Sequence, residues 1–223
     1  MLNMRSTDDL TTRARIRDAA VGRFAAEGFG ASVRAVAGDA SVSPGLVIYH
    51  FGSKAGLRHE CDEHVLGLIR DVKSEHIGRA AAGLSFLEAF ASTDQYGPLV
   101  GYVLRSLHDG GPAGRSFVEH MVDDAGTYVG QAVAAGVARP SRDEAARVRY
   151  LVLSALGAMA LSVNLDPPDD PADLAAAVRR FVAESYLPML ELYTDGFLTT
   201  GNILEDFLAQ PTPRTHRPRR RTR

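Results

Sequence analysis

Apolar residues recur at three- to four-residue spacing along almost the whole chain, and no stretch alternates apolar and polar positions for more than a few residues. The pattern predicts an all-α fold of about nine helices. A first helix is expected from about Arg13 to Glu27, with Ile16, Ala20 and Phe24 on one stripe and Gly28 ending it. Ser32 then opens a short helix to about Ala40. Ser43-Pro44 opens another, since proline fits a first helical position whose N–H would go unpaired anyway. Gly52 stops that helix, and Ser53 caps a long fourth one to about Ala82. The S-x-x-E pairs Ser85/Glu88 and Ser141/Glu144, together with Asp170-Pro171, read as later helix starts. Two long helices, 141–164 and 172–198, close the helical part, with a kink or break expected before Pro188.

Residues 32–54, SVRAVAGDASVSPGLVIYHFGSK, therefore hold two short helices joined by a tight turn at Ala40–Ser43, with a third helix following at once. That is the helix-turn-helix plan, in which the second helix enters the major groove of DNA. Val33, Val36, Ala37, Val42, Val47 and Phe51 should face inward. Pro44, Gly45, Leu46, Ile48, Tyr49 and His50 should face out. Gly45 permits close backbone approach, Tyr49 and His50 can donate to phosphate, and Lys54 supplies a point charge. Arg34 can reach a guanine edge with both arms of its guanidinium.

Net charge changes this picture only when divided by region. Residues 1–60 carry eight Arg/Lys against six Asp/Glu, residues 61–210 carry eleven against twenty-one, and residues 211–223 carry six Arg and no acid. Basic ends flanking an acidic middle suit nucleic-acid contact near the termini and oppose nonspecific polyanion binding by the body. The tail, rich in Pro, Thr and Arg, has no apolar partner and is expected to be disordered. Cys61 is the only cysteine, so no intramolecular disulfide can form. The opening MLNMRSTDDL has no leader pattern, and no apolar run reaches the roughly 20 residues a membrane helix needs, so a cytoplasmic protein without membrane contact is expected.

Residues 11–60 resemble the DNA-binding domain of the TetR family of transcriptional regulators. The matching residues are Ile16, Ala19-Ala20, Phe24, Gly28-Phe29, Ser32-Val33-Arg34, Val36-Ala37, Val42-Ser43, Gly45, Phe51 and Ser53-Lys54. Position by position, the resemblance implies DNA contacts from Ser32, Arg34, Ser43, Pro44, Gly45, Leu46, Tyr49, His50 and Lys54. Where the family commonly has a polar residue after the glycine and an aromatic two places later, this chain has Leu46 and Ile48. Leu46 then reads as a thymine-methyl contact, with Tyr49 taking part of the phosphate role. The implied division is residues 1–52 as DNA-binding domain, 53–210 as ligand-binding and dimerisation domain, and 211–223 as tail.

What the resemblance implies for the larger domain is a homodimer built on the last two long helices, binding a pseudo-palindromic double-stranded operator. It also implies an inducer pocket. Phe86, Phe90, Tyr96, Tyr102, Phe117, Met121 and Tyr128, with Arg105 and Asn164 as polar groups, would suit a small, mostly apolar effector. The stretches around Tyr96–Gly111 and Pro140–Asp143 resemble a subset linked to drug tolerance and efflux control. The expected function is thus a ligand-released repressor, with no cofactor.

Two other readings compete. His59, Cys61, Asp62 and His64 suggest a metal or redox sensor, but on one helix His59 shares a face with Glu63, Glu60 with His64, and Cys61 points elsewhere. A DNA-binding protein without a small-molecule ligand is the other. Catalysis is disfavoured, because no Gly-rich phosphate loop, paired metal motif or nucleophile elbow is present.

Overall fold

The computed structural model describes residues 7–81, 97–168 and 174–210, and among these the chain forms nine α-helices and no strand. They are α1 (Thr7–Glu27), α2 (Val33–Asp39), α3 (Pro44–Phe51), α4 (Lys54–Ala81), α5 (Gly97–Asp109), α6 (Gly111–Ala134), α7 (Glu144–Leu165), α8 (Leu174–Thr194) and α9 (Asn202–Ala209). Phe86, Phe90, Tyr96, the Ser85/Glu88 pair, Asp170-Pro171 and the tail lie outside the described residues. Residues through Phe181 form one compact unit, and residues from Val182 onward form a second.

The start and stop signals of the first three helices act as the sequence suggests. Gly28, at φ +80°, follows the end of α1. The Ser32 hydroxyl accepts from Ala35 N–H at 3.1 Å, and the Ser43 hydroxyl accepts from Leu46 N–H at 3.2 Å. Each satisfies one of the donors that a helix start leaves unpaired. Ser53 does the same for Gly56 N–H at 3.0 Å at the start of α4.

Three later expectations change. The cap of α7 is Asp143, whose carboxylate accepts from Ala146 N–H at 2.9 Å, while Ser141 sits in the lead-in turn. Half of the expected reciprocal pair survives, because Glu144 still reaches back to Ser141 N–H at 2.7 Å. Pro188 neither ends nor divides α8, which runs through it to Thr194. Both Pro188 and Glu184, whose carbonyl the proline leaves without its helical donor, are exposed, so water can take that carbonyl. The 22 residues of α7 also make it long and apolar enough, by length and composition alone, to cross a membrane, contrary to the sequence expectation. Ser154, Ser162 and Asn164 had disguised its uncharged run from Tyr150 to Leu165.

In the first unit the core is continuous from the N-terminal helices into the body. Ile16, Ala20 and Phe24 of α1, Val36 of α2, Val47 of α3, and Leu57, Cys61 and Val65 of α4 are fully or almost fully buried with Tyr102 of α5 and Phe117 of α6. Phe24, Phe29 and Tyr102 form an aromatic cluster, with ring centroids 5.4 Å apart for Phe24/Phe29 and 5.2 Å for Phe29/Tyr102. Among the described residues of the second unit there is no such interior: α9 has no buried residue, and Ile203, Leu204, Phe207 and Leu208 are all exposed.

Candidate nucleic-acid interface

The outward stripe of α3 follows from its apolar spacing. Val47 and Phe51, one helical turn apart, are buried, which turns Pro44, Gly45, Ile48 and Tyr49 to solvent. Tyr49 is 76% exposed and Ile48 42%, while Leu46 and His50 lie half-buried on the flanks. Arg34 is exposed on α2. The tight turn between α2 and α3 closes through Val42 N–H on the Ala37 carbonyl at 2.9 Å, with Ser41 in the left-handed region at φ 53°.

All nine DNA-contact candidates fall on α2, α3 and their immediate flanks. Several of them also have structural partners. The Ser32 and Ser43 oxygens accept the capping bonds described above, which leaves each hydroxyl hydrogen to be donated. Lys54 donates from Nζ to the Gly30 carbonyl at 3.1 Å, fixing its ammonium at the start of α4 with further protons to offer.

A residue the sequence reading overlooked holds the stripe in place. Arg13 of α1 donates to the His50 carbonyl at the end of α3, pairs with Glu60 of α4 at 2.6 Å, and stacks its guanidinium 4.6 Å from the centre of the Phe51 ring. A cation on the last-turn carbonyls complements the negative end of the helix. At the same corner, Gly56 allows α4 to approach α3, since a Cβ there would sit 2.2 Å from the Phe51 carbonyl oxygen. Arg23 clamps the far ends of α1 and α2, donating from Nε to Asp39 at 2.7 Å and holding that carboxyl below its usual range.

The three N-terminal helices are keyed to the body by side chains on α4 and α5. Gly101 of α5 lies so close to α1 that a Cβ there would be 3.0 Å from the Ala25 Cβ. One turn on, Arg105 donates from Nε to the Ala25 carbonyl at 3.3 Å and from Nη2 to the Ala26 carbonyl at 2.9 Å. Arg58 of α4 stacks 3.5 Å from the Phe29 ring centre and pairs with Asp109 at 2.7 Å. Tyr102 donates to Asp62 at 2.7 Å, inside the seam between α4 and α5. Burial, then the Asp62 charge, pushes the Tyr102 hydroxyl far above its usual range; burial raises Asp62 against the opposing pull of Tyr102 and Arg58.

The effector-pocket candidates are dispersed among the described residues. Tyr102 and Phe117 are buried in the core, while Met121 and Tyr128 are partly buried against it. Arg105 faces the end of α1, and Asn164 is exposed near the end of α7. The cleft found in this region is a polar one of about 160 Å³ between α4 and α6, lined by Glu63, Leu66, Arg70, His120, Asp123 and Asp124, with Arg70 bound to Asp124 at 2.9 Å. Around the candidate sensor segment, Cys61 is buried and its thiol is pushed up to about 12, chiefly by burial. His64 lies 3.6 Å from Asp18. Among the described residues no three His, Cys, Asp or Glu side chains gather as a metal site.

Residues 16–61 match the model of the bacterial regulatory proteins of the tetR family, and residues 94–199 match the tetracyclin repressor-like C-terminal domain. The HTH-type transcriptional regulatory protein RaaS of Mycobacterium tuberculosis (strain ATCC 25618 / H37Rv) is 41% identical over 207 residues, spanning 93% of this chain and 96% of its own. The chain belongs to the TetR family of transcriptional regulators. As a TetR-family member it is a DNA-binding regulator and not an enzyme. Two solved structures share the fold of this regulator. Salmonella enterica GusR has a TM-score of 0.54 at 19% identity, covering 85% of this chain and 98% of its own. A putative TetR-family regulator from Mesorhizobium loti MAFF303099 has a TM-score of 0.53 at 16% identity, covering 82% and 98%.

Proposed function

We propose that the protein is a homodimeric repressor acting in the cytoplasm, which occupies a pseudo-palindromic operator through α2 and α3 and leaves it when a small, mostly apolar effector binds the body. The observation that carries this reading is the exposed α3 stripe, capped by Ser43 at one end and held by Arg13 at the other. A helix fixed at both ends presents its outer face in one orientation, which base reading requires. The proposed contacts are Ser32, Arg34, Ser43, Pro44, Gly45, Leu46, Tyr49, His50 and Lys54.

Dimerisation is supported by apolar side chains that a single chain leaves in water. On α7, Tyr150, Leu153, Leu161 and Leu165 are exposed; on α8, Leu187, Met189, Leu192 and Tyr193 are. An isologous interface between two copies would cover such faces and set the two α3 helices on successive turns of the duplex. Release by an effector is supported by the direct bonds from α5 to the end of α1, because a shift of α5 would alter the placement of the N-terminal helices. The effector must bind the two arrangements with different affinity for this to work. The resemblance of the 96–111 and 140–143 stretches to regulators of drug tolerance supports a transporter gene as target.

The test is selection of duplex fragments from a random pool by the purified full-length protein, followed by gel shift on the enriched site. A panel of lipophilic aromatic compounds is then titrated in, with circular dichroism alongside. The expected result is a two-fold symmetric site whose complex is dissociated by at least one compound without unfolding of the protein. Enrichment of no sequence would overturn operator binding; a complex unaffected across the panel would count against release by an apolar effector.

A further inference from the structure

The side chains of α3 lack the groups by which proteins usually distinguish guanine and adenine. Its eight residues, PGLVIYHF, include no Arg, Lys, Asn, Gln, Asp or Glu, so no bidentate pair with a purine edge can come from this helix. Only Tyr49 and His50 carry polar side-chain atoms. Beside Tyr49, at the edge of the outward stripe, stands Ile48, an aliphatic side chain 42% exposed although Val47 next to it is completely buried. Leu46 flanks it, half-buried. Gly45 lies one turn before Ile48, and a Cβ added there would meet nothing nearer than the Ser43 hydroxyl at 3.9 Å. The surface between Gly45 and Ile48 is therefore open to a groove floor.

Resting on the operator-binding reading above, we propose that Ile48 is a specificity-determining residue that, together with Leu46, recognises thymine through its 5-methyl group. In the major groove, that methyl is the apolar group that projects from a base edge of unmodified DNA towards an aliphatic side chain; cytosine has only a C–H at the same place, and the remaining features are hydrogen-bond donors and acceptors. Ile48 suits the task. Its β-branched side chain is held near one χ1 rotamer in a helix, so its methyl groups are already placed before DNA arrives. The capped start of α3 and the Arg13 bond at its end fix the depth of the helix, and Arg34 on α2 is left as the separate guanidinium for a guanine edge. The operator half-site should thus hold thymines facing the middle of α3.

The experiment replaces each thymidine of the selected operator, one at a time, with 2′-deoxyuridine, which removes only the methyl group. Binding to the full-length protein and to its Ile48→Ala and Leu46→Ala variants is measured. For the wild-type protein, two positions per half-site should lose about fourfold in affinity for each methyl removed. Ile48→Ala should bind thymidine and deoxyuridine equally at one of those positions, and Leu46→Ala at another. A residue that merely supports the fold would weaken both DNAs by the same factor, and that result overturns the proposal. Ile48→Val, which keeps the branch and shortens the reach, should retain part of the discrimination and guards against misfolding of the alanine variant. If no duplex is enriched at all, operator binding fails and methyl reading with it; if a duplex is enriched but deoxyuridine is harmless everywhere, methyl reading alone fails.

Discussion

Residues 13–66 and residues 144–209 are both rich in large apolar side chains, yet they dispose of them differently. In the first region Ile16, Phe24, Val36, Val47, Leu57 and Val65 are buried against one another and against the body. In the second, Leu161 is 61% and Phe207 69% exposed. The contrast separates a region whose apolar side chains are enclosed by its own chain from one that leaves large apolar side chains exposed, the faces that the proposed dimer would cover. It also explains why the N-terminal part can present Ile48 and Tyr49 to a partner without risk: everything behind them is closed.

Substitutions that remove the same kind of side chain from the two regions should break the symmetry of composition. Phe24→Ala should cost about 3–5 kcal/mol of stability, because it empties a site enclosed by Phe29 and Tyr102. Phe207→Ala, measured in the same denaturant titration on dilute protein, should stay within about 0.5 kcal/mol. Equal losses would show that the exposed residue has a core of its own. The next effect concerns association. Leu153→Glu together with Leu161→Glu should weaken the proposed dimer by about 2–4 kcal/mol, read by sedimentation across a dilution series, while the circular dichroism spectrum is retained.

Within the closed region, Gly56→Ala tests how tightly α3 and α4 abut. A Cβ there meets backbone, which cannot swing aside, so stability should fall by about 1–3 kcal/mol and operator affinity should fall with it. Ser41→Gly should act in the other direction, adding about 1 kcal/mol by relieving a left-handed backbone at a residue with a Cβ. Thermal denaturation of both variants decides these two.

The smallest expected effect is on pH. Burial lowers His64 from its usual 6.5, outweighing the raising influence of Asp18 and Glu60. A histidine kept neutral by the fold contributes stability above its unfolded value, and that contribution is lost as pH falls below about 6.5 towards the lowered one. Asp62 works in the opposite sense, since its raised carboxyl penalises the fold less as pH falls. His64→Gln should therefore reduce the loss of stability between pH 7.5 and 5.5, and an unchanged difference would remove His64 from the account.

The local chemistry of helix starts and stops made most of the N-terminal fold legible. Ser32, Ser43-Pro44, Gly28 and Ser53 each act within three residues of themselves, so their role is written in neighbouring letters. Which face of α3 is exposed was readable for the same reason, from the apolar spacing of Val47 and Phe51 one turn apart. The side chains that hold that face were not readable. Arg13 meets His50 and Glu60 across separations of 37 and 47 residues, and Arg105 meets Ala25 across 80. Nothing adjacent to an arginine tells which distant carbonyl it will cap. Arg105, expected as a polar group of a pocket, donates to the Ala25 and Ala26 carbonyls, and Tyr102, expected as pocket lining, donates to Asp62; neither bond could be read from neighbouring residues.

The closeness of Gly101 to Ala25, with Arg105 gripping the two carbonyls at the end of α1, leaves no slack between the N-terminal helices and α5. In the proposed release by an effector such a joint would work as a gear with its teeth engaged, carrying a tilt of α5 to α1 and through Arg13 to α3. Cutting the chain after α4 would strip away one side of the mesh and leave Phe24 facing water, so the N-terminal helices should be studied attached.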